Sequence, residues 1–164
     1  MQKFLIIVIF MIVSALLQHI SHEMLHVIVG KYNGLKLIKI QWFTYHGGTK
    51  AFFEDEPNFT EKEVNISKEW MYMSAAGIVG TSILAYMLFI IFNLLPLGYL
   101  KLFMWVLTIF FLLTDSGYAV VGSLGNFGDT YLVRKYFGIS RIKMTMISAI
   151  LFLINCSLVF ILLR

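Results

Sequence analysis

The residues best equipped for chemistry are His22-Glu23-Met24-Leu25-His26, an H-E-x-x-H pentapeptide. On a helix, side chains four residues apart stand one above the other, so His22 and His26 can hold one metal ion with Glu23 beside it. The chemistry that uses this spacing is zinc hydrolysis. Two neutral imidazoles and a third ligand bind Zn2+, a water whose pKa falls toward ~7 fills the open position, and the glutamate takes its proton.

A third ligand has four candidates: Asp129, Asp115, His46 and His19. His19 shares the face of His22 and His26 but lies a turn deeper, and three ligands on one straight helix do not converge, so a supporting or packing role suits it. His46 adjoins Gly47-Gly48 and reads as a solvated turn. Asp115, in Thr114-Asp115-Ser116-Gly117, suits a carboxylate that orients a ligating histidine, with direct ligation as its alternative. Asp129 ends Gly125-Asn126-Phe127-Gly128-Asp129, where two glycines permit close backbone approach and Asn126 adds a hydrogen-bonding group. Its plainer reading is a capping aspartate before a helical stretch over 130–137.

The elements that must position these residues are membrane spans. The chain is 59% hydrophobic and only 13% charged, against ~25% in soluble domains. This predicts an all-α integral membrane protein. Stretches 4–29, 71–95, 100–121 and 144–163 each reach the ~20 residues that cross a bilayer. The first also resembles a signal peptide, but its apolar run exceeds the ~7–15 residues of such a segment and lacks an A-x-A site, so it is expected to stay as a span. Pro96-Leu97-Gly98-Tyr99 leaves only a tight turn between the second and third spans. Between the first two, Leu35 opens a stretch over 35–53 that alternates apolar and polar with one slip and contains Gly-Gly, which predicts a membrane-associated β-hairpin. The acidic Glu54-Asp55-Glu56-Pro57 then reads as a solvated turn.

The charges give orientation rather than a nucleic-acid footprint, although the net charge is +4. Ten Lys and Arg lie in the loops after the first and third spans and three on the other side, which places both loops in the cytoplasm and both termini outside. His22 and His26 then lie in the cytoplasmic third of their span, and Asp129 follows the third span on the same side. That shared depth favours Asp129 over its rivals. The lone Cys156 excludes an intramolecular disulfide and a cysteine zinc site.

Taken together, these residues resemble the site-2 protease family of intramembrane zinc metalloproteases, in its short branch. His22 to His26 matches the family's H-E-x-x-H, 34–48 looks like its hairpin, Ser74-Ala75-Ala76-Gly77 looks like its small-residue A-G-P-x-x-N helix start, and Gly128-Asp129 looks like its aspartate motif. Ile78 departs from the family's proline, and Thr81 or Ser82 stands where an asparagine is usual; Asn126 or Asn93 are the replacements at hand. Asn93-Leu94-Leu95-Pro96 looks like its N-x-x-P element, yet Leu-Asp-Gly does not follow, which keeps the third ligand open between Asp129 and Asp115. The resemblance implies hydrolysis of a membrane-embedded protein or peptide, with Zn2+ on His22, His26 and Asp129 and Glu23 as base. The hairpin over 35–53, with Leu35 and Phe53 at its two ends, is expected to hold substrate by strand addition.

A competing class is a membrane metal-binding or ion-transport protein. An ion path should cross the bilayer, whereas the ionisable residues gather toward one side and the fourth span has none. A catalytically silent relative has no need of Glu23. Substrate identity, a regulatory partner and self-association are not written in the chain.

Overall fold

A computed structural model describes residues 2–42, 50–54, 66–96 and 98–164. His46, the Gly47-Gly48 turn, residues 55–57 of the acidic turn and most of 59–70 lie outside the described residues. The elements run α1 (Gln2–Tyr32), β1 (Leu37–Gln41), β2 (Lys50–Phe53), α2 (Lys68–Leu94), α3 (Tyr99–Gly125), α4 (Gly128–Tyr136) and α5 (Arg141–Leu162). Four helices are long and apolar enough to cross a membrane, which fits a multi-pass integral membrane protein.

The helices outrun their apolar stretches because hydropathy marks the part in hydrocarbon and not the turns beyond it. Side-chain caps set two starts: Ser67 Oγ accepts from the Trp70 N–H and Ser140 Oγ from the Lys143 N–H. The expected 71–95 and 144–163 thereby begin at Lys68 and Arg141.

α1 is apolar outside and polar inside. Ser14, Gln18, His22, His26 and Gly30 recur every fourth residue and are buried, while Leu5, Ile12, Leu16, Ile20, Met24 and Ile28 are exposed. In lipid this is the stable arrangement, since helices associate through small and polar residues and leave their apolar faces to the acyl chains.

α3 is central and touches α1, α2, α4 and α5. It meets α2 around Ala85, Leu107, Phe111 and Leu112. Asn155 pins α5 to this core: its Nδ2 donates to the Leu112 carbonyl at 2.8 Å, and its Oδ1 accepts from the Tyr86 hydroxyl at 3.1 Å.

β1 and β2 pair antiparallel, with Ile40 opposite Ala51 and an irregularity between Leu37 and Lys39, where the alternation of apolar residues slips. The pairing starts later than the alternation predicts. Leu35 belongs to the end of α1 rather than to a strand, because its N–H donates to the Gly30 carbonyl at 2.9 Å across the reversal at Gly34 (φ 86°). The hairpin expected at about 35–53 is thus present without Leu35 in a strand: its pairing runs from Leu37 to Phe53, with one further bond from the Glu54 N–H to the Lys36 carbonyl at 2.9 Å. Phe53, Ile66, Trp70, Met73, Tyr131 and Leu132 form a second cluster that fastens the strands and α4 to the start of α2, and the half-buried Leu35 packs against it. The end of α1, the start of α2 and the end of α3 are thus held together at the strand end of the bundle.

Candidate metal centre

His22 lies about ten residues, or ~15 Å, before the end of α1, and Asp115 the same distance before the end of α3. Because these ends adjoin, the two residues arrive at one depth. α3 then closes with Asn126 in the left-handed region (φ 63°), and Gly128 follows with φ 68°. This double reversal turns the chain so that Asp129, in the first turn of α4, faces back toward α1.

Three ligand atoms converge there. His22 Nε2 and His26 Nε2 are 3.0 Å apart, and Asp129 Oδ2 lies 3.1 Å from the first and 3.3 Å from the second. A tetrahedral ion with ligands ~2.0–2.1 Å away spaces them roughly 3.3 Å apart, so the triangle is close to one face of such a polyhedron. Within the described residues, His22, His26 and Asp129 are the group of histidines and carboxylates that can hold a metal ion.

Both imidazoles are aimed from behind. His26 Nδ1 donates to the Met73 carbonyl on α2 at 2.7 Å, which places the proton on Nδ1 and leaves Nε2 free to ligate. His22 Nδ1 lies 3.0 Å from Asp115 Oδ1, close enough for an ion pair though not aligned as a hydrogen bond. Gly77 supplies the space. A Cβ there would lie 2.6 Å from His26 Cε1 and Nε2 and 2.7 Å from His22 Cε1, so only a glycine lets α2 come this near. Donor set, ring orientation and cradle all fit a divalent metal ion.

Burial opposes the charge on the Asp129 carboxyl, but when the two imidazoles also carry protons on Nε2 the His26 charge and the hydrogen bonds from both rings outweigh it and hold its pKa below the ordinary value. Glu23, also buried, accepts a hydrogen bond from the Ala51 N–H at 3.1 Å. Ala51 therefore turns its amide away from β1, and that edge of β2 faces the site. The centre opens into a cavity of about 700 Å3 lined by Gln18, His19, Glu23, Ala51, Thr114 and Tyr118 among others.

Of the residues singled out from the sequence, His22, Glu23, His26, Asp115 and Asp129 come together here. Asp129 is not a cap, since Phe127 holds that position without a side-chain bond. His19 lines the deeper wall. Asn126 borders the cavity, but its Oδ1 accepts from Arg134; Asn93 donates to the Phe89 carbonyl at the other end of α2. Leu35 and Phe53, the expected ends of the substrate-holding hairpin, are taken up by the apolar cluster around Trp70, and it is Ala51 between them that meets the site. Sequence reasoning missed Gln18, Tyr118 and the Met73 carbonyl. The spacing of Ser14, Gln18, His22 and His26 is a signal that finds Gln18, and Tyr118 follows Asp115 by three residues on the same helix. A backbone carbonyl leaves no mark in a sequence. Comparisons with protein-family models, curated proteins and solved structures found no match for the chain.

Proposed function

We propose that the chain is an intramembrane zinc metalloprotease of the site-2 protease kind, which hydrolyses a peptide bond in or near the membrane-spanning part of another protein or peptide. The observation that carries this reading is Glu23 sharing one buried cavity with the converged His22, His26 and Asp129, beneath a strand edge that faces it. A site built only to bind a metal needs no additional carboxylate poised beside its ligands.

Zinc fits the two-imidazole, one-carboxylate set, and when bound it supplies a Lewis acid that polarises water and the scissile carbonyl at neutral pH. Glu23 takes the proton of the attacking water and returns it to the amide nitrogen as the C–N bond breaks. The edge of β2 that faces the site at Ala51 receives the substrate as an added strand. Main-chain hydrogen bonds made there replace those that an unwound segment loses in the bilayer. The excess of Lys and Arg after α1 and α3 supports a site toward the cytoplasm with both termini on the other side.

The test is purification of the full chain in detergent, with zinc per chain and cleavage of membrane peptides measured for wild type, Glu23→Gln and Asp129→Asn. The reading expects Glu23→Gln to keep zinc and lose hydrolysis by ~10²–10⁴, and Asp129→Asn to lose zinc. A wild type that holds zinc yet cuts none of a broad set of membrane peptides refutes it.

A further inference from the structure

Hydrolysis makes one demand that the residues above do not meet. As water adds to a peptide carbonyl, negative charge moves onto the carbonyl oxygen, and a donor fixed at that point is worth ~10²–10³ in turnover. His22, His26 and Asp129 are given to the ion and Glu23 to the proton. On α2, the Thr81 hydroxyl donates to the Gly77 and Ile78 carbonyls and Ser82 to Ile78, while Asn93 is distant. Asn126 lies past the end of α3 and its Oδ1 accepts from Arg134, which leaves its amide Nδ2 as the rival donor at the rim.

Tyr118 is not engaged. Its ring stands edge-on to the His22 imidazole, with centroids 6.2 Å apart, and it lines the same cavity as Glu23. Its hydroxyl has no hydrogen-bond partner among the described residues, and it lies where a side chain at position 128 would be, so the absence of one at Gly128 makes room for it beside Asp129. Other hydroxyls are less well placed. Ser74 also borders the cavity, but its Oγ is buried, and Thr114 is a turn deeper on α3. A phenol with an ordinary pKa of ~10 carries its proton at neutral pH and is a better donor than an aliphatic hydroxyl.

The geometry points to Tyr118 as the donor to the scissile carbonyl oxygen while that oxygen becomes an oxyanion. This rests on the hydrolytic reading and completes it: the substrate backbone lies between Glu23 on one side and the Tyr118 phenol on the other. The balance of the reaction is unchanged. Water forms the new C–O bond, its proton passes through Glu23 to the departing nitrogen, and Tyr118 lends a hydrogen bond without giving up its proton.

Tyr118→Phe keeps the ring against His22 and removes only a hydroxyl that no described residue holds, so the fold is preserved. Wild type and variant, zinc-loaded and in detergent, are compared for zinc per chain, KM and kcat on a transmembrane peptide. The affinity for a phosphinic peptide, whose tetrahedral anion mimics the oxyanion, is measured by calorimetry. The expectation is equal zinc, KM within about twofold, and kcat and phosphinate affinity both lower by ~10²–10³. A variant with wild-type kcat and phosphinate affinity overturns the assignment, as does a loss confined to KM or to zinc content, which marks a packing role. A zinc-replete wild type that cuts nothing overturns the protease reading itself, whereas an active wild type matched by Tyr118→Phe overturns the role of Tyr118 alone.

Discussion

Gly77→Ala tests the metal centre without touching a ligand. The new methyl would stand 2.6 Å from His26 Cε1 and Nε2 and 2.7 Å from His22 Cε1. Carbon atoms rest ~3.5–4.0 Å apart, so about 1 Å must be found. The rings cannot simply retreat, because His26 is held by the Met73 carbonyl and His22 faces Asp115. Nor can α2 back away without taking that carbonyl with it. Overpacking of this kind costs ~1–3 kcal/mol. If the strain falls on the ligand triangle, metal binding weakens by about 5- to 160-fold. Zinc competition against a chromophoric chelator, on purified protein in detergent, reads that factor directly. Gly80→Ala is the control one turn along, where the methyl would meet the Leu25 side chain, whose flexible end can turn aside. Wild-type zinc affinity in Gly77→Ala, or an equal loss in Gly80→Ala, refutes the reasoning.

Asp115→Asn removes the charge behind His22 and leaves the three ligands in place, so zinc affinity should fall ~10–100-fold by the same competition assay. Ala51→Pro deletes the N–H that reaches Glu23 without removing a β1–β2 hydrogen bond; zinc per chain should hold while cleavage of a membrane peptide falls about tenfold or more. Asn155→Ala loses two interhelical hydrogen bonds and should lower stability by ~1–2 kcal/mol in detergent–SDS unfolding, with zinc affinity unchanged.

What the sequence disclosed follows from which features are periodic. His22 and His26 are tied by helical spacing, which holds however the helix is rotated, so their pairing was readable at once. Asp129 was readable through topology, because consecutive spans return the chain to the same side of the membrane. Asp115 was read as a carboxylate that orients a histidine from the chemistry of such sites, and it lies 3.0 Å from His22. The contact of Gly77 with both imidazoles was not readable, since it depends on the rotation of α2, and a run of small residues is compatible with many. The Ala51 to Glu23 bond depends on which amides β2 leaves unpaired, and alternation gives faces but not edges. Alternation also took Leu35 into the hairpin, since it marks an apolar side chain without saying whether the amide closes a helix or joins a strand. The apolar stretches gave the spans but not the helix starts at Lys68 and Arg141, which the capping Ser67 and Ser140 set.

The polar stripe of α1 also has a consequence for biogenesis. His22 and Asp129 are 107 residues apart in the chain. At ~5–20 residues per second, the ribosome needs roughly 5–20 s to deliver the carboxylate after the imidazole. Until α3 (Tyr99–Gly125) and then α4 are made, α1 carries Gln18, His22, Glu23 and His26 without the helices that cover them, in a medium where a single ionised group costs ~2.5–3.5 kcal/mol. The helix that founds the site is thus the one least fit to wait in lipid, and its release from the insertion machinery should lag until α3 arrives.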